Sequence, residues 1–107
     1  MVTKITSANF NAVVINADKP VIIDFFAEWC GPCRQMAPIF EELSKELANS
    51  YIFGKIDIEE DHDLGVNHGI TSIPTLIFYK AGKQVGAVSG GLSKQEIKAK
   101  LATIFGQ

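Results

Sequence analysis

The chain has 107 residues, 47% of them hydrophobic and 21% charged, with a formal net charge of −2. That size suits one domain around one core, 1–107, and the slight acidity excludes a nucleic-acid binder, which needs a basic field to displace counterions from phosphate. No stretch approaches the roughly 20 apolar residues that span a bilayer, and the start, Met1 to Thr6, lacks the charged-then-apolar pattern of a signal peptide, so no membrane partner and a cytoplasmic location are expected.

Val2 to Ile5 reads as a short strand. Residues 7–15 follow as a helix, with Phe10, Val13 and Val14 at helical spacing and Ser7 as its N-cap. Pro20 opens "VIIDFFA", an apolar run of strand length broken only by Asp24, as expected of a strand covered on both faces. Met36, Ile39, Phe40, Leu43 and Leu47 then form the apolar stripe of a second helix, with Pro38 inside it as an expected kink. Tyr51 to Ile58 is another buried strand, and a short helix surrounds Leu64 to Asn67. "TLIFYK" and "QVGAVS" are two strands joined by a turn at Ala81-Gly82-Lys83. Ser93 and Glu96 have capping-box spacing, and Ile97, Leu101 and Ile104 mark a closing helix. Early parallel units followed by a hairpin imply an α/β fold: a central mixed sheet of about five strands flanked by about four helices.

The only two cysteines, Cys30 and Cys33, lie in "AEWCGPCRQMAP" beside the only tryptophan. The pair could be a structural clip, half of a metal site, or a redox couple. A clip across so small a loop would constrain the unfolded chain little, and a reducing compartment would open it. Zinc needs about four ligands, and beyond the two sulfurs the chain offers only His62 and His68, remote from the cysteines and read as surface residues; no metal is expected. Electron exchange fits the location best. Residues i and i+3 at a helix start sit within disulfide range, and the free amides there favour a thiolate. Pro32 is tolerated because the first turn has no partner for its missing N–H. Cys30 is expected to be the exposed, attacking sulfur and Cys33 the deeper, resolving one.

Asp24 shares a strand face with Ile22 and Phe26. It is either a buried acid of raised pKa, positioned to take a proton from Cys33, or an aspartate wetted at a sheet edge. Lys55 interrupts the next apolar strand; it either faces Asp24 or runs its stem to solvent. Trp29, next to the thiols, should be partly exposed.

"FFAEWCGPC", followed by "SIPT" and "GGLS", resembles the thioredoxin family across essentially the whole chain. The resemblance implies the thioredoxin fold and a general protein dithiol–disulfide oxidoreductase working through Cys30 and Cys33, with Gly31 and Pro32 tuning the pair. It favours Asp24 as the buried base, with Lys55 modulating it. It implies a cis peptide bond at Ile73-Pro74, and a client-binding platform of Trp29, Ile73, Pro74 and Gly90. It further implies recycling by an NADPH-dependent thioredoxin reductase. No nucleotide-binding glycine motif is present, so no cofactor should bind this chain itself, which is expected to be monomeric. Phe26 stands where relatives usually carry a second tryptophan, Gly91 replaces a common alanine and Thr71 a frequent arginine. Two rivals are a redox-inactive interaction module, which would need neither cysteine nor a buried acid, and a secretory oxidant or isomerase, against which Gly31-Pro32 speaks.

Overall fold

In the computed structural model, which describes residues 1–106, five strands form one sheet. They are β1 (Val2–Lys4), β2 (Val21–Phe26), β3 (Ile52–Asp57), β4 (Thr75–Lys80) and β5 (Lys83–Ser89), in the order β1-β3-β2-β4-β5. β1, β3 and β2 run parallel, while β4 and β5 join antiparallel. The helices are α1 (Gly31–Glu46), α2 (His62–Asn67) and α3 (Lys94–Phe105), with a short π-helix at Asn11–Ile15. This is the mixed α/β architecture expected.

The central strand β2 is apolar on both faces because both faces are covered. Ile22 packs with Phe53, Leu76 and Phe78 against Met36, Phe40 and Leu43 of α1 and Ile97, Leu101 and Phe105 of α3. The alternate residues Val21, Ile23 and Phe25 join Ile56 and Ile77 on the other face, under Val14 and Leu64. Strand alternation therefore directs Asp24, in step with Ile22, to the α1 side. This places the one charged residue of β2 beneath the helix that carries the cysteines.

Two readings change in the first connection. The helix expected over 7–15 is reduced to the π-helix, in which the Asn16 amide bonds the Asn11 carbonyl at 2.9 Å. Val13, Val14 and Ile15 are β-branched in succession, which disfavours a regular α-helix. Ser7 is not its N-cap: its amide and hydroxyl bond the Asp61 carboxylate at 2.8 and 2.6 Å. Ser7 instead ties the N-terminal segment to the residue that precedes α2. At the other end of the chain Ser93 caps as expected, and its reciprocal bonds with Glu96 measure 3.1 and 2.8 Å. α1 runs through Pro38 as one element, with the proline exposed and one helical hydrogen bond forfeited there.

The β4–β5 turn contains only Ala81 and Gly82, because Lys83 already pairs with Lys80. Both turn residues have positive φ, 51° and 77°, the signature of the tight hairpin turn that suits strand twist. Alanine is strained there, whereas asparagine tolerates it. A Cβ on Gly82 would also lie 2.9 Å from the Ile15 carbonyl oxygen. Ala81→Asn should therefore stabilise the protein by about 0.5 kcal/mol and Gly82→Ala destabilise it by about 1–3 kcal/mol. Urea unfolding at constant m-value checks both signs.

Candidate active site

β2 ends at Phe26, and after a loop of four residues α1 begins at Gly31. Cys30 is the N-cap of that helix, with extended backbone (φ −83°, ψ 115°), and its sulfur accepts the Cys33 amide N–H at 3.2 Å. Sulfur thus occupies the place an oxygen normally takes at a helix start. An N-cap donor directed at Sγ, reinforced by the dipole of a 16-residue helix, favours negative charge on that atom. Pro32 falls at the first turn, where no hydrogen bond is forfeited, and Gly31 has no heavy atom within 4 Å of where a Cβ would stand. Cys30 and Cys33 are joined as a disulfide, with Cα atoms 5.2 Å apart.

Exposure separates the two sulfurs less than expected. Cys30 is 5% exposed and Cys33 2%, so the expected openly exposed Cys30 is corrected to a covered one in this disulfide form. Ala27 and the partly buried Phe26, Ile58 and Ile73 pack around the pair, and the Ile73 carbonyl oxygen lies 3.9 Å from the Cys30 sulfur. The cysteines differ instead in their neighbours. Cys30 meets the helix amide, whereas Cys33 lines a cleft of about 240 Å³ that also reaches Asp24.

Asp24 is 4% exposed, and its Oδ1 has no hydrogen-bond partner. The wetted-edge alternative is therefore set aside. Burial pushes its carboxyl up to about 7, with the Lys55 charge pulling weakly the other way. Lys55 is the register partner of Asp24 on β3, but its side chain is exposed. Among the described residues no ion pair joins the two, and the ammonium lies 6.0 Å from the centroid of the Phe26 ring. Lys55 thus acts on Asp24 from a distance, its stem running to water.

Of the remaining expected residues, Ile73 packs directly at the cysteines. Trp29 is 66% exposed. The Ile73-Pro74 peptide bond is cis, Pro74 is buried, and Ile73 packs at the cysteine pair. The Gly90 amide bonds the Pro74 carbonyl at 2.9 Å, and the φ of Gly90, 101°, is one that side-chain-bearing residues avoid. A Cβ on Gly91 would come 3.9 Å from Pro32, so this glycine leaves the rim beside the cysteine loop low. Thr71 is exposed.

His68 is not the plain surface residue expected. Its ring lies among Phe10, Phe25 and Tyr79, with Nδ1 2.7 Å from the Leu64 carbonyl and Nε2 2.7 Å from the Tyr79 hydroxyl. It closes the end of α2 and serves structure, away from the cysteines. His62 is exposed at the start of α2. Among the described residues no cluster of three potential metal ligands forms. The sequence reading also passed over Glu28, Arg34 and Ala37, which complete the Asp24 cleft with Phe26 and Lys55. Only the position of Arg34, directly after Cys33, hinted at this.

Burial of Asp24 has a consequence for stability. The folded protein holds this proton up to about pH 7, while the unfolded chain releases it near 3.8. Between those values the folded state binds more protons, so its stability falls as pH rises and stays reduced above 7. A shift of this size corresponds to about 4 kcal/mol, less the cost of burying an amide in its place. Asp24→Asn should therefore raise the stability of the disulfide form by about 2–4 kcal/mol near pH 8 and change it little near pH 4. Denaturant unfolding at the two pH values checks this.

A family model described as Thioredoxin matches residues 1–103. The chain is 42% identical over 101 residues to a thioredoxin of Alicyclobacillus acidocaldarius subsp. acidocaldarius, covering 94% of this chain and 95% of that one. It is 39% identical over 100 residues to a thioredoxin of Pyropia yezoensis, covering 94% of each. To a protein named thioredoxin 2 from Chlorobaculum tepidum it is 40% identical over 96 residues, covering 90% of this chain and 88% of that one. With a cysteine pair at a helix start and a whole-length family match, the chain belongs to the thioredoxin family of dithiol–disulfide oxidoreductases.

Proposed function

We propose that this protein reduces disulfides in client proteins by a two-step exchange, with unequal roles for its cysteines. The Cys33 amide aimed at the Cys30 sulfur carries the assignment of the attacking group. In the reduced protein the Cys30 thiolate attacks one sulfur of a client disulfide. A Cys30–client disulfide forms, and the other client sulfur leaves as thiolate and takes a proton from water. Cys33 then gives its proton to the Asp24 carboxylate across their shared cleft and attacks the Cys30 sulfur. The client sulfur bonded to Cys30 leaves as thiolate and takes a proton from water, and the Cys30–Cys33 bond of the present structure results. Two electrons have passed to the client.

Asp24 suits this step because its carboxyl titrates near 7, close to working pH, so it can both accept and release the proton. Lys55 tunes that affinity downward. Gly31 and Pro32 hold the two sulfurs on one helical turn. The exposed Trp29, with Ile73, Pro74 and Gly90, forms a platform on which a client segment lies extended, bonding main chain to main chain at Ile73. Such pairing disregards client side chains, which suits a reductase of many proteins. Recycling requires two electrons and two protons from a separate NADPH-dependent thioredoxin reductase, with no cofactor held on this chain. A cytoplasmic monomer fits this role. No helix among the described residues is long and apolar enough to cross a membrane.

Reduction of a disulfide-bonded test protein, coupled to NADPH oxidation through a thioredoxin reductase, tests the proposal. The wild type should turn over, and Cys30→Ser should be inactive. Cys33→Ser should accumulate a covalent complex with the client, visible on a non-reducing gel, and turn over at less than about a thousandth of the wild-type rate. Normal turnover by Cys33→Ser would reverse the assigned roles. Asp24→Asn should slow resolution of the mixed disulfide about 100-fold near neutral pH, at the low end of the usual span of general-base effects.

A further inference from the structure

The cleft lined by Asp24 and Cys33 is also lined by Arg34. Arg34, the residue after Cys33, reaches back over the start of α1 and donates from Nη1 to the Glu28 carbonyl oxygen at 2.9 Å. This bond ties the first turn of α1 to the loop leaving β2, and Arg34, Glu28 and Ala37 all line the 240 Å³ cleft. A second cleft, of about 120 Å³ and lined by Lys4, Phe26, Glu28, Lys55, Asp57 and Glu60, adjoins it. Phe26, Glu28 and Lys55 line both.

We propose that Arg34 is a positioning residue of the redox site: bound to the Glu28 carbonyl, its side chain roofs the cleft and limits the access of water to the Asp24 carboxyl. Its effect on the reaction rests on the role of Asp24 as proton acceptor; its effect on hydration does not. The charged and titratable groups around Asp24 are Lys55 on β3, Cys33 and Arg34 on α1, and Glu28 in the loop, while β4 contributes the apolar Leu76 as its register partner. Burial is the leading cause of the high proton affinity of Asp24, and Lys55 is the charge that opposes it.

Two effects of removing Arg34 compete. Loss of a cation raises the proton affinity of a nearby carboxyl, whereas entry of water lowers it. Arg34 is exposed, so its charge acts through a water-like medium and is worth a few tenths of a pH unit at most, roughly. Full burial can shift a carboxyl by up to about 3–5 units, so losing even a third of it by opening the roof outweighs the charge effect.

The test titrates the Asp24 carboxyl carbon by NMR in the oxidised protein, where the cysteines do not titrate. Arg34→Ala removes the roof; Arg34→Met keeps most of its bulk without the charge. Both substitutions fall at one exposed helical position, and the same spectra report folding. Arg34→Ala should lower the midpoint by about one pH unit, and Arg34→Met by less than half as much. In the reduced protein, the acid limb of the pH profile for mixed-disulfide resolution should move with it. An unchanged or raised midpoint in Arg34→Ala overturns the proposal, as does an equal fall in Arg34→Met. The base role is judged separately: if Asp24→Asn resolves the mixed disulfide at the wild-type rate, that role fails, and the midpoints still decide on Arg34.

Discussion

The chemistry of this protein turns on the hydrogen bond from the Cys33 amide to the Cys30 sulfur. A helix start always leaves amides without partners, and here one of them finds a sulfur. That single arrangement accounts for the spacing of the cysteines, for the tolerance of Pro32 between them and for the different character of the two thiols. It exists only because β2 ends at Phe26 and α1 starts at Gly31, which leaves a short loop in which Cys30 is the last extended residue. The sheet and its helices serve to hold that junction still. β2 is the central strand, paired on both sides, and α1 is fixed to it through Met36, Phe40 and Leu43.

Asp24 is the second charge-bearing element of the same design, and it opposes the first in cost. The helix start provides a favourable place for a negative sulfur; the interior beneath α1 is an unfavourable place for a negative carboxylate. A side chain that destabilises the ionised fold near neutral pH has no structural justification, since a leucine would serve the core better. In the proposed mechanism its value lies in the proton it can hold beside Cys33. The distance between Lys55 and the carboxylate fits this account. A close ion pair would keep Asp24 ionised and weak as a base, whereas a remote ammonium adjusts it only slightly. The roof formed by Arg34 extends the same logic, because the dryness of the cleft sets how strongly that proton is held.

Much of this was legible in the sequence. The alternation in β2 directed Asp24 to the face of Ile22, and a three-residue cysteine spacing at a strand–helix boundary marked the redox pair. The Ser93 capping box also stood where it was read. What escaped were contacts that local pattern does not encode. Ser7 has the chemistry of an N-cap, yet its partner is Asp61, far along the chain. His68 looked like a polar residue on a short helix, but the fold brings Phe10, Phe25 and Tyr79 around it. Sequence pattern did not single out Arg34 or Glu28, because only the return of α1 over β2 brings them to the cleft that Asp24 lines. The exposure of Cys30 was overestimated because local pattern does not show Ile73, which packs against the cysteine pair from far along the chain.

The inequality of the two thiols is measured most directly by alkylating the reduced protein across pH and reading each cysteine by mass spectrometry. Cys30 should react at least about tenfold faster than Cys33 at neutral pH, and its rate should titrate below the range of a free thiol, as expected for a sulfur at a helix start. Equal rates at the two positions, or a Cys30 titration indistinguishable from that of free cysteine, would contradict the account.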